Sequence, residues 1–282
     1  MFMFKQLIGA AIRLGLFVAV LPLAVIDSSS AESVHVVAPD RSYADLVETI
    51  AGAHVSISIV RPGSNSVTTL AQGSLVLCSG THADAWLEGA ASRVGPGVTL
   101  IKIYGPSQAQ GGNVTFPWYD ISAITVFSEA IARELARREP ASASRISLNL
   151  ARLLSDFKVI KDRIDKIRHD YAESEVIAAD DLSREVARQL GFKVNGPMNH
   201  GRQTSVSPMD VLQHAVERRE GSIFLYDKDG PNRSIQSIAA AATDSGLPVV
   251  ALQERLPTRL HYQRWALRQW NTIHGALNEA AP

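Results

Sequence analysis

The stretch from Ser144 to Tyr171 limits the fold more than any other part of the chain. Leu148, Leu150, Leu153, Leu154, Phe157, Ile160, Ile164 and Ile167 recur at three- and four-residue steps, and Lys158, Lys161, Asp162, Arg163, Asp165, Lys166 and Arg168 fill much of the remainder. That is the period of a helix with one buried face. Twenty-five or more helical residues rising 1.5 Å each extend ~40 Å, about the width of a domain. A helix of this length is too long to be one layer of a small sheet. It predicts a stiff spine bridging two lobes.

The flanking sequence supplies the lobes. Before the spine, short apolar runs at Val34 to Ala38, Val55 to Val60, Leu75 to Cys78 and Val98 to Tyr104 alternate with helical stretches at Ser42 to Ala51, His82 to Val94 and Ser122 to Arg138. After it come strands at Glu175 to Ala179, Lys193-Val194, Ile223 to Tyr226 and Leu247 to Leu252. They alternate with helices at Asp181 to Leu190, Pro208 to Arg219, Ser234 to Ser245 and Thr258 to Leu277. Ser207-Pro208 opens the second of these as N-cap and first helical residue. Strand–helix alternation on both sides of a spine predicts an α/β protein of two parallel-sheet lobes. Ligands of such sheets bind beyond the carboxyl ends of the strands, so the expected site is the cleft between the lobes.

Composition closes off other classes. The 282 residues carry 28 Lys+Arg against 28 Asp+Glu, and this neutral balance argues against a nucleic-acid partner, which usually needs a basic face. One cysteine, Cys78, excludes an intramolecular disulfide and multi-cysteine zinc sites; Cys78 itself reads as a small buried apolar residue. No G-x-S-x-G, H-E-x-x-H, GK[ST] loop or G-x-G-x-x-G after a strand occurs, so no enzyme is expected.

The first residues read as an export signal. Lys5 and Arg13 precede a thirteen-residue uncharged apolar run, Leu14 to Ile26, and Ser28 to Ala31 offers small residues for cleavage after Ala31. The run is short of the ~20 residues needed to span a bilayer. Expected boundaries are therefore a signal peptide at 1–31, an N-terminal lobe at 32–143, the spine at 144–172 and a C-terminal lobe at 173–282. The mature protein would be periplasmic and monomeric.

The order of these elements resembles a known family through the phrases SYADLVETIAG, LAQGSLVLCSG…AWLEG, PWYDIS…SEAIARELARREP, SEVIAADDLSREVARQLGFKV, SPMDVLQHAVERREGSIFLYD and GLPVVALQERLP. They are similar to the zinc/manganese-binding (cluster A-I) solute-binding proteins of bacterial ABC transporters, and the likeness runs from about Val34 to Leu277. The resemblance implies a receptor that captures a divalent metal, zinc or manganese, between its lobes and delivers it to an inner-membrane ABC permease. In that family three histidines and a carboxylate, or two of each, hold the metal.

This sequence departs from the family at those positions. The loop that carries the first histidine is here the short Arg61 to Val67, with none. Phe116 stands where a histidine precedes the family's tryptophan, and Tyr226 where the last acid is found. Only Asp180 keeps a metal-competent side chain in register. Two readings follow. In one, His82, Asp180, His200 and Asp227 form a relocated nitrogen–oxygen metal site. In the other, the cleft takes a metal complex or a small organic anion, with Arg61, His200 and Arg202 as polar contacts. A third possibility is an interaction protein that uses the fold without transport.

Overall fold

The computed structural model describes residues 34–53, 55–63, 70, 74–105, 116–197, 207–230 and 232–281. The expected signal peptide, His54, His200, Arg202 and most of the polar loops Arg61–Val67, Gly105–Gly112 and Gly196–Ser207 lie outside the described residues. Among the described residues no helix is long and apolar enough to cross a membrane.

The first lobe runs β1 (Val34–Ala38), α1 (Arg41–Ala51), β2 (Val55–Ile59), β3 (Leu75–Cys78), α2 (Ala85–Val94), β4 (Thr99–Lys102) and, after a 3-10 turn at Pro117–Tyr119, α3 (Ile121–Arg138). The spine, α4, spans Ala143–Tyr171. The second lobe follows as β5 (Glu175–Ala178), α5 (Asp181–Leu190), β6 (Lys193–Asn195), α6 (Pro208–Glu217), β7 (Phe224–Asp227), α7 (Arg233–Asp244), β8 (Val249–Leu252) and α8 (Tyr262–Ala280). All strand pairs are parallel, in the orders β2-β1-β3-β4 and β6-β5-β7-β8. The two lobes therefore share one topology, as the strand–helix alternation predicts.

Period-two alternation decides what each strand buries. Val36, Leu75 and Leu77 of the first sheet, and Val176, Leu225 and Val250 of the second, point into one large core. Their neighbours point the other way: Val37 and Val76 into a small cluster under α2, Ile177 and Phe224 into another under α6 and α7. The large core also holds the inner faces of α1, α3, α5 and α8 and the buried side of the spine, so it runs continuously through both lobes.

The spine buries Ile146, Leu153, Phe157, Ile160, Ile164 and Ile167. Leu148, expected on that face, is 52% exposed, because two residues beyond buried Ile146 it lies about 200° further around the helix, on the opposite side. The solvent side carries Lys158–Asp162, Lys161–Asp165 and Lys166–Asp170 pairs four residues apart, each worth only a few tenths of a kcal/mol.

Two helices begin later than the sequence suggests. Asp84 is pulled back to accept hydrogen bonds from the Ser79 N–H and hydroxyl, both at 2.6 Å, so His82 to Asp84 turn and α2 opens only at Ala85. Gly80 has φ +80°, and a Cβ there would collide with the Tyr104 carbonyl, which reserves this turn for glycine. At α8, a Leu260 N–H to Pro257 carbonyl turn occupies the expected first turn. The helix begins at Tyr262, where the Asp45 carboxylate accepts the backbone N–H at 2.7 Å.

Candidate functional site

In each sheet the chain leaves its first strand toward one edge and returns on the other side. The switch points therefore lie between β1 and β3 and between β5 and β7, and ligands gather at such points. Each is marked by an aspartate two residues beyond the lobe's first strand that caps the following helix. Asp40 accepts the Ser42 N–H at 2.6 Å. Asp180 accepts the Ser183 N–H at 2.8 Å and completes a capping box through the Ser183 hydroxyl.

The second acid at each switch point comes from the neighbouring strand's loop. In the first lobe, Asp84 is 4% exposed and receives, besides Ser79, the Tyr43 hydroxyl at 2.9 Å. Burial, with the Asp84 charge beside it, raises the Tyr43 phenol well above its ordinary pKa, so Tyr43 remains a donor. In the second lobe, the other oxygen of Asp180 accepts the Asp227 N–H at 2.6 Å, tying the end of β5 to the end of β7.

The first-lobe strand ends face a cleft of about 730 Å³, and Asp180 and Asp227 are not among the described residues that line it. Asp40, Tyr43, Arg61, Ser79, Asp84 and Trp86 line it from the first lobe. Phe116 and Trp118 add an aromatic wall, and Glu254, Arg255 and Leu256 close it from the segment after β8. Asp40 stays open to solvent in the cleft, yet loss of water to the walls raises its carboxyl, opposed by the Ser42 hydrogen bonds and assisted by Asp84. Asp227 is raised in the same sense, first by burial and then by the charges of Asp180, Glu254 and Asp229, against a lowering hydrogen bond from the Asp229 N–H.

A raised carboxyl has a definite sign in stability. The folded chain holds the Asp227 proton more tightly than the unfolded chain, so this residue's contribution falls as pH rises from the ordinary carboxylate range through the raised value. In metal-free protein, Asp227→Asn is expected to melt above wild type at pH 7, the gap closing as pH drops below about 4. Melting curves at a series of pH values check this, and a variant that melts lower at pH 7 contradicts it.

Of the sequence-derived metal candidates, the structure brings Asp180 and Asp227 together. His82 lies exposed in the turn before α2, and His200 lies outside the described residues. Both Asp180 oxygens are engaged by backbone N–H groups. No group of three or more His, Cys, Asp or Glu side chains suited to hold a metal occurs among the described residues. Phe116, where the resemblance places a histidine, does line the cleft, whereas the Tyr226 ring packs on the outer cluster beside Phe224.

The remaining candidates are structural. Cys78 is buried, and its thiol is pushed far above the ordinary range by burial and then by Asp84 and Glu88, so it remains protonated. His35 bridges Ser74 and Ser58 across β1, at 3.0 and 2.9 Å. Residue-by-residue reading missed Asp40, Tyr43, Asp84 and Arg255. The signal that would have found Asp40 is its likeness to Asp180: each is an aspartate two residues after a buried first strand and directly before a helix.

Comparison with known proteins follows the same outline. The family model described as zinc-uptake complex component A, periplasmic (ZnuA), matches residues 36–276. No curated protein matches the sequence. Among solved structures the chain is similar to the periplasmic zinc-binding protein TroA of Treponema pallidum, at 16% identity and TM-score 0.66 over 87% of this chain and 99% of that one. It is also similar to FpvC of Pseudomonas aeruginosa in complex with Mn2+, at 17% identity and TM-score 0.65 over 89% and 100%. A periplasmic metal-binding protein of Candidatus Liberibacter asiaticus aligns at 15% identity and TM-score 0.61 over 86% and 99%. At these identities the structural likeness establishes the fold.

Proposed function

Because the chain belongs to the periplasmic zinc-uptake component A family, we propose that it is the ligand-capturing receptor of an ABC importer. It is exported by a signal cleaved after Ala31. It takes a metal of the zinc–manganese class into the cleft between lobes 32–143 and 173–282, and hands it to an inner-membrane permease. Nothing in this role requires a chemical step, and the family is one of binding proteins rather than enzymes.

The observation that carries this reading is the acidic cleft between two lobes joined by one core: Asp40 and Asp84 at the first sheet's strand ends face Glu254 from the segment after β8, while Asp180 and Asp227 form the equivalent switch point of the second sheet. A receptor must present a ligand between two surfaces that its permease can grasp together. The spine and the common core hold those surfaces at a nearly fixed separation, which favours small rearrangements at the cleft over wide hinge closure. Carboxylates that crowd one another there favour a cation-bearing ligand, since positive charge relieves their repulsion.

The test is metal content. Protein recovered from the periplasm without chelator is expected to carry zinc or manganese by elemental analysis, and metal-stripped protein is expected to regain thermal stability when metal is returned, free or complexed. At a hundredfold excess over Kd, linkage gives about 2.7 kcal/mol, or roughly 5–10 °C for a chain of this size. Metal-free protein whose melting no form of either metal alters would overturn the proposal.

A further inference from the structure

We infer that the cleft takes its metal already wrapped in an amino-carboxylate chelator, rather than as a bare ion; this rests on the receptor reading above and names the ligand class of the same site. Size is the first argument. A cation with six waters occupies roughly 200 Å³, taking ~30 Å³ per water, whereas the cleft holds about 730 Å³. Volumes of this order belong to pockets for organic molecules.

The lining is the second argument. A site for a bare divalent cation gathers three or four nitrogen, sulfur or oxygen donors around one point, and no such group of side chains occurs among the described residues. The carboxylate of Asp84 already accepts three hydrogen bonds, and Asp180 caps a helix while holding β7. The walls carry instead Trp86, Phe116 and Trp118, with acidic Asp40 and Glu254 and basic Arg255 reaching the same space.

Each part of that lining matches one part of a chelate. A chelator such as an amino acid supplies the metal with its own amine and carboxylate donors. Its periphery then presents outward-facing carboxylate oxygens for an arginine, amine N–H groups for a carboxylate, and methylene edges for aromatic faces. Arg255, on the segment after β8, meets the first; Asp40, with its solvent-open carboxylate, meets the second; the three rings meet the third. A bare cation would gain nothing from Arg255, whose charge repels it.

Calorimetric titration of metal-stripped protein tests this with zinc–histidine and zinc–glycine complexes against free Zn2+, free Mn2+ and the metal-free chelators. At least one complex is expected to bind tenfold or more tighter than free Zn2+ and than its own chelator. Asp40→Asn keeps the helix cap, because asparagine caps as well as aspartate; it and Arg255→Gln should each weaken the complex at least tenfold while the unliganded variants melt within a few degrees of wild type. Free Zn2+ or Mn2+ binding as tightly as the complexes would overturn the inference and leave the receptor reading standing. A chelator that binds equally well without metal would also overturn it. No binding by any probe would remove both.

Discussion

Asp45→Ala is expected to cost about 3 kcal/mol and to lower the melting temperature by roughly 6–12 °C. Asp45 is 0% exposed on α1, and it reaches across 217 residues of sequence to the start of α8. One oxygen accepts the Tyr262 N–H at 2.7 Å, and the other meets His261 Nδ1 at 2.9 Å and Arg41 at 3.4 Å. The helix has no side-chain cap of its own, so Asp45 supplies from another element what an N-cap residue supplies locally. Arg41 and His261 are partly in water, at 31% and 56% exposure, and their ionic share is small. The larger loss is the buried Tyr262 N–H left without an acceptor. Asp45→Asn retains one carbonyl oxygen and should recover part of the loss. An alanine variant that melts within about 2 °C of wild type would show that α8 does not need this cap.

That contact also marks the limit of what the sequence reveals. β1, β3 and α5 fall where local pattern puts them, because a short buried strand bounded by a turn and a helix bounded by Asp180 and Gly191 carry their own signals. The spine is legible for the same reason: its period is long enough to leave no competing reading. The start of α2 is not, because Asp84 answers to Ser79 and Tyr43 rather than to the helix that follows it. The start of α8 answers to Asp45, on the far side of the chain. The cleft was harder still. Its location follows from topology, but its walls are drawn from the ends of β1, β2, β3 and β8 and from the 3-10 turn before α3, and no local motif unites Asp40, Trp118 and Arg255. Matching residues to family positions identified what was missing, Phe116 above all, without showing what stood in its place.

The lobes should nonetheless unfold together, and Tyr262 should be the residue that couples them. Its ring is 1% exposed and meets Trp118, Phe157 and Trp265 at centroid distances of 5.8–5.9 Å, and its hydroxyl donates to the Trp118 carbonyl at 2.7 Å. Trp118 belongs to the first lobe, Phe157 to the spine and Trp265 to the last helix, so one side chain touches all three parts of the common core. Wild-type protein is therefore expected to show one calorimetric transition, with calorimetric and van't Hoff enthalpies in agreement. Tyr262→Ala should cost about 3–5 kcal/mol through lost burial and the cavity left behind. It should also broaden or split the transition as the two sheets lose their shared packing. Tyr262→Phe separates the two contributions, because it keeps the ring and removes only the hydroxyl; its expected cost is about 1 kcal/mol with cooperativity intact. Two resolved transitions in the wild-type protein would mean that the core is continuous in space without being continuous in energy. The spine would then join the lobes without coupling them, and the argument for a nearly fixed cleft would fail with it.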